Sequence, residues 1–450
     1  TSGSNTYSGA ITLAADSSIV SSSGAQNISG AIDGLYGLTI TASDNLTLSG
    51  TIGATAPPTS LSVTTTGSGV LALNADIKTS GAQSYTAGGN ITIGSDRTLT
   101  GSTITTNSAL SGAYSLTITG NAVFGDGTGT DTVALSGTGK NLSVSGTTTL
   151  KADVTTSGTQ TYTGAVTLAT ANRTLTGTTI TNSSTISGAT FSLAITGNSV
   201  IDGAISGVNV FSVSGTTNIS ANSISTTGTQ TYSSAVTLSN SGTLTLTTTD
   251  DNISLYSIAG SGKNLTLNPG TGTISVTSTV GSSNNGLGLL VVTNSGGTTF
   301  GGAFEAQAVV LTATTGTITF SGDTTITSAI GLRTAASGYN VAFNSSGTNT
   351  IQGITTFLNT GTLTFGNNGT SNFAAGLTAS SPSSVNIYGT VKTTNTTLLI
   401  GSPINLTGNS TISGNTLGNI TLSGTINGGY TLDLNTTGTT TLSGTVGATT

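Results

Sequence analysis

The chain has 450 residues, and half of them are of three small types: 101 Thr, 63 Ser and 65 Gly. Charged residues make up 5%, the net charge is −6, and His, Cys, Met and Trp do not occur. This composition excludes histidine bases, cysteine nucleophiles, imidazole or thiolate metal sites and disulfide frameworks.

The eight cations (Lys78, Arg97, Lys140, Lys151, Arg173, Lys263, Arg333 and Lys392) are dispersed, which leaves no basic footprint for nucleic acid. Abundant Thr, Ile and Val, only 5 Pro and a mean hydropathy of +0.20 argue against a disordered chain. The longest uninterrupted apolar run, Leu289 to Val292, is far short of the about 20 residues a membrane-spanning helix needs, so no membrane span is expected. The chain opens at Thr1 without a basic or apolar leader, and reads as a window of a longer protein.

Taken in order, the first element is Gly3-Ser-Asn-Thr-Tyr7-Ser-Gly-Ala-Ile11-Thr-Leu13, which returns as Gly158-Thr-Gln-Thr-Tyr162-Thr-Gly-Ala-Val166-Thr-Leu168 and Gly228-Thr-Gln-Thr-Tyr232-Ser-Ser-Ala-Val236-Thr-Leu238. A looser copy is Gly81-Ala-Gln-Ser-Tyr85, so Tyr7, Tyr85, Tyr162 and Tyr232 are spaced by 78, 77 and 70 residues. One aromatic per unit at a fixed place predicts a packing residue rather than a sugar platform. Asp96-Arg-Thr-Leu-Thr-Gly101 returns as Asn172-Arg-Thr-Leu-Thr-Gly177 at an offset of 76.

Between recurring glycines the text alternates, as in Leu116-Thr-Ile118-Thr, Leu142-Ser-Val144-Ser and Leu244-Thr-Leu246-Thr. That pattern predicts short half-buried strands, and nothing supports helix. Glycine steps of 8 to 11 residues pair into a period of about 19, with four such pieces to the roughly 77-residue unit.

Asp126-Gly-Thr-Gly129-Thr-Asp131-Thr-Val133 approximates one calcium-binding nonapeptide, but it occurs singly and is expected to be an acidic turn. Gly137-Thr-Gly139-Lys140-Asn141 and Gly260-Ser-Gly262-Lys263-Asn264 lack the earlier glycine of a phosphate loop and read as turns. The adjacent carboxylates Asp250 and Asp251 would point to opposite faces of a strand and so could not flank one glycosidic bond; they read as a solvated turn. Asn45, Asn90, Asn141 and Asn264, each in an Asn-x-Thr/Ser triplet, read as strand-entry residues.

Residues 1–280 therefore form a regular array, and 281–394 a divergent continuation in which Phe300, Phe304, Phe320, Phe343, Phe357, Phe365 and Phe373 replace the tyrosines. Residues 395–450 return to the phase of 1–56: Ser29-Gly-Ala-Ile32-Asp33-Gly-Leu-Tyr36 recurs as Ser423-Gly-Thr-Ile426-Asn427-Gly-Gly-Tyr430, an offset of 394. The expected fold is all-β, a parallel β-helix (β-solenoid) with about 19 residues per rung. The alternative is a series of tandem β-sandwiches. Stacked rungs form ladders of like side chains, which explains the scarcity of charge.

The phrases at 158–168, at 172–178 and at 440–447 resemble the strand repeats of filamentous-haemagglutinin-like giant surface proteins of Gram-negative bacteria. The resemblance covers most of residues 1–280 and 395–450. It implies secretion across the outer membrane, a right-handed parallel β-helix shaft, and roles in adhesion, biofilm or fibre formation.

The expectation is an extracellular, non-catalytic structural repeat protein. It would associate with itself end to end or laterally, or with glycans or proteins on neighbouring cell surfaces. No catalytic, cofactor-binding or metal-ligating residue is assigned. The alternatives are a solenoid that binds ice or carbohydrate surfaces through flat Thr ladders such as Thr98 with Thr100 and Thr174 with Thr176, and, further off, a polysaccharide-degrading β-helix enzyme.

Overall fold

The computed structural model describes residues 3–128, 131–281, 286–312 and 314–447. Among them there is no helix; the strands pair in parallel and stack as a β-solenoid of about 21 turns, each of about 21 residues. Sandwich sheets pair antiparallel, so the tandem-sandwich alternative does not describe this chain.

The alternation read in the sequence is what builds each turn. Ile77, Leu99, Ile118 and Val144 stand directly above one another and are all fully buried. Thr98, Thr117 and Ser143 form the neighbouring outward column. A period of 2 sends every second residue to the shared interior, and each turn closes its apolar stripe only on the turns beside it. Where corners come too close for side chains, glycine stacks on glycine: a Cβ at Gly50 would overlap the carbonyl of Gly30.

Turn length differs from the expected 19 residues because the corners vary while the strands do not. Arg97 and Leu116 are 19 residues apart, but Leu116 and Leu142 are 26 apart, the extra chain lying between strands. The long repeat is likewise not a whole number of turns. Tyr85 sits in the column Ile40, Val63, Tyr85, Thr106. Tyr162 instead stands in the column of Ile77, on the neighbouring sheet, four turns above Ile77. One repeat therefore spans about three and two-thirds turns, and successive copies fall on different sheets.

Two compact units divide the chain, Thr1–Gly215 and Thr216–Thr450. In the first, the interior is aliphatic, with Tyr85, Phe124, Tyr162 and Phe211 as its large buried side chains. The second contains a phenylalanine column in which Phe300, Phe320, Phe343 and Phe365 pair turn by turn. Their rings stack with centroids 5.2, 5.1 and 5.9 Å apart, and Phe304, Phe357 and Phe373 meet the stack edge-on. Offset-stacked and edge-to-face rings at such distances each add about 0.5–1.5 kcal/mol beyond the area they bury.

Candidate functional site

The most specific side-chain arrangement in the chain is the corner Thr-x-Gly-x-Gln-x-Tyr, found at 79–85, 156–162 and 226–232. Gln and Tyr are two residues apart on a strand and therefore both face inward; all six are fully buried. The Tyr162 hydroxyl donates to Gln160 Oε1 at 2.8 Å, while Gln160 Nε2 donates to the carbonyls of Val154 at 3.1 Å and of Thr176, on the next turn, at 2.8 Å. Tyr85 with Gln83, and Tyr232 with Gln230, repeat the arrangement.

This clasp ties one turn to the next from inside the core. In two of the three copies the Arg-Thr-Leu-Thr-Gly phrase lies on the next turn, where a Cβ at Gly101 or Gly177 would press on the clasp threonine of the turn below; in the third copy Thr248 takes that place. The tyrosines are packing residues, as expected, and Tyr85, Tyr162 and Tyr232 present no ring to a sugar. Tyr7 has Asn5 in place of the glutamine and is half-buried.

The carboxylates serve the corners. Asp16, Asp33, Asp76, Asp96, Asp153, Asp250 and Asp323 each accept a backbone N–H one turn further on, at 2.7 to 3.1 Å. The bonds from Ala56 and Thr55 hold the Asp33 carboxyl below its ordinary range, and the bond from Ser115 does the same for Asp96. What these carboxylates add is present above the ordinary carboxylate range and is lost as falling pH protonates them.

Asparagines repeat the device without charge. Asn45, Asn141 and Asn264 take the N–H of Val70, Thr159 and Leu289 through their side-chain oxygens, and Asn90 uses its backbone carbonyl toward Leu71. Arg97 and Arg173 lie against Asp76 and Asp153 at 3.4 and 3.8 Å.

The two phosphate-loop-like candidates resolve as turns. Lys263 N bonds Gly260 O at 2.8 Å, closing that turn, and Lys140 is drawn to Asp96 at 3.5 Å and over the Tyr114 ring. In the nonapeptide-like segment Asp126 bonds Thr128, and Asp131 accepts the Asp126 N–H at 3.1 Å; Gly129 and Thr130 lie outside the described residues. Among the described residues no three acidic side chains converge as a metal site would require.

Asp250 has a left-handed backbone and borders a groove of about 550 Å³ lined by Thr271, Asn294, Ser295, Thr314, Thr315 and Ser337. Asp251 does not share that groove, so the two carboxylates are not brought to one site. Thr98–Thr100 and Thr174–Thr176 lie on different sheets, the first above Ile77–Lys78 and the second above Val154–Thr155. No protein-family model, curated protein or solved structure matches the chain.

One test of the clasp follows from its burial, which pushes the phenols of Tyr85, Tyr162 and Tyr232 above their ordinary range; Tyr339 is raised for the same reason. In the unfolded chain these phenols ionise near pH 10, while in the fold they stay protonated. Their contribution is therefore complete below about pH 10 and falls above it, by about 1.4 kcal/mol per pH unit for each buried tyrosine. In an ultraviolet titration of the 10 tyrosines, four are expected to stay silent until the chain unfolds. Ten ionising together near the ordinary midpoint, with the fold intact, would contradict the clasp.

Proposed function

We propose that the chain is a non-catalytic structural shaft, a stretch of a bacterial adhesin or surface fibre that lies outside the outer membrane and holds or spaces a binding element. The observation that carries this reading is where the polar side chains go. Seven aspartates and the asparagines beside them tie corner to corner, and the glutamine clasps tie turn to turn inside the core. Seven of the 14 carboxylates are thus used for axial cohesion, which serves stiffness.

The resemblance to filamentous-haemagglutinin-like repeats supports the extracellular setting and a role in adhesion or biofilm. Self-association and contact with surface glycans or proteins belong to the same reading. A second reading rests on the sheet that carries Thr98/Thr100, Thr117/Thr119, Ser143, Thr161 and Thr181 outward over successive turns, an array suited to an ordered ice or glycan surface.

Antibodies raised against the purified chain should label the outside of intact producing cells, along projecting fibres. Labelling confined to permeabilised cells would sink the shaft reading. Thermal hysteresis of the purified chain, lost on Thr117→Leu, would move the assignment to the second.

A further inference from the structure

One outward sheet face departs from the hydroxyl rule. In the second unit its central column reads Thr266, Val291, Val310, Arg333, Thr356, Thr378, with one residue per turn in register. Ile354 and Leu358 flank Thr356 on the same strand face, 69% and 42% exposed, and Ile330, 50% exposed, precedes Gly331, which stacks on the Gly353 next to Ile354. A groove of about 250 Å³ runs between Arg333, Ile354, Thr356 and Leu358. Leaving three large aliphatics in water forgoes the roughly 25 cal/mol per Å² that their burial would return. Turns below and above carry Thr245, Thr266, Thr378 and Thr421 on the same face, with Leu399 between the last two, so the fold accepts hydroxyls at most of these places.

Arg333 is exposed, and among the described residues its guanidinium has neither an ion pair nor a side-chain hydrogen bond. No acidic side chain shares its column. The occupant must therefore bring aliphatic surface and one anion. Its size follows from the array: three side-chain columns over four turns, at about 7 Å between columns and 4.8 Å between strands, cover roughly 400 Å². That is half of the about 800 Å² per partner in a stable protein complex, and it lies within the range of functional patches on single chains. A second copy of this face would also set Arg333 into an apolar interface with no counter-charge.

We propose that this strip binds a single alkyl chain ending in a carboxylate. The carboxylate is held by the Arg333 fork, and the chain lies in the groove along Ile354 and Leu358. The proposal is independent of the shaft reading.

The test is calorimetric titration of the whole chain with dodecanoate, kept below the concentration at which it forms micelles. Saturable one-to-one binding is expected. Arg333→Gln should weaken it about tenfold or more, the loss of a charge-assisted hydrogen bond, while dodecanol should bind parent and variant alike. The double substitution Ile354→Thr with Leu358→Thr should abolish binding, with circular dichroism confirming the fold. If the double variant does not fold, the exposed Arg333→Gln decides alone. Absent binding, or binding unchanged by Arg333→Gln, overturns the proposal, as does a concentration-dependent dimer that the double variant loses, which would assign the strip to a second copy.

Discussion

Gln160→Leu is expected to destabilise the turns around Tyr162 by about 2–3 kcal/mol, and Tyr162→Phe by about 1–2 kcal/mol, yet the double variant should cost less than Gln160→Leu alone. Each single change strands a fully buried polar group. Without the glutamine the tyrosine hydroxyl has no acceptor, and without the hydroxyl Gln160 Oε1 has no donor. Removing both leaves an apolar pair of similar shape and no orphan, apart from the second hydrogen bonds lost by the Val154 and Thr176 carbonyls. Opening free energies from native-state hydrogen exchange at Gln160–Tyr162 measure all three variants in place, which suits a repeat array better than one global melt. Simple additivity would mean that the two side chains act separately and that the clasp is not a unit.

The chain supplies its own reference for this argument. Gln26–Ile28 occupies a corner strand in which Ile28 replaces the tyrosine, and there Gln26 Nε2 reaches only Thr41 O, at 3.5 Å, while the buried Oε1 finds no partner among the described residues. The glutamine alone does not complete the network.

Much of this architecture was legible in the sequence, because alternating Ile, Leu and Val against Thr and Ser states which face is inside regardless of distance along the chain. The rung length was not, since it depends on corners whose composition is the same Gly, Asn, Ser and Asp whether the corner is short or long. The 77-residue repeat suggested stacked copies, but a repeat of three and two-thirds turns places Tyr85 and Tyr162 on neighbouring sheets. The glutamines two positions before the repeated tyrosines carry a signal of their own, since that spacing puts both on the inner face. The aliphatic strip had a visible signal too. Leu289–Val292 breaks the alternation, and a run that is too short to cross a membrane still places Leu289 and Val291 outward on a sheet.

Removing residues 98–116 is expected to leave a folded chain that is one turn shorter, whereas removing 98–117 should unravel the adjoining turns. The first deletion joins Arg97 to Thr117, which already stands directly above Thr98; Ile118 then takes the place of Leu99, and Thr119 that of Thr100. Every inward position stays apolar. The second deletion sets Ile118 where Thr98 pointed to solvent and Thr119 where Leu99 was buried, and a one-residue slip exchanges the two faces of the strand. Loss of the buried Leu and exposure of the Ile together cost at least about 3 kcal/mol, and the neighbouring turns lose the surface they stack on. Circular dichroism melts and hydrogen exchange at Ile77–Lys78 separate the two outcomes. Equal stability of both deletions would refute turn-by-turn stacking as the source of order. The pair also bears on role: a shaft that only spaces its ends keeps its function when one whole turn is removed, whereas a catalytic or receptor site built on those turns is lost with them. Surface labelling of cells that carry the in-phase deletion should therefore match the parent, and its loss despite a folded chain would place a specific site on residues 98–116.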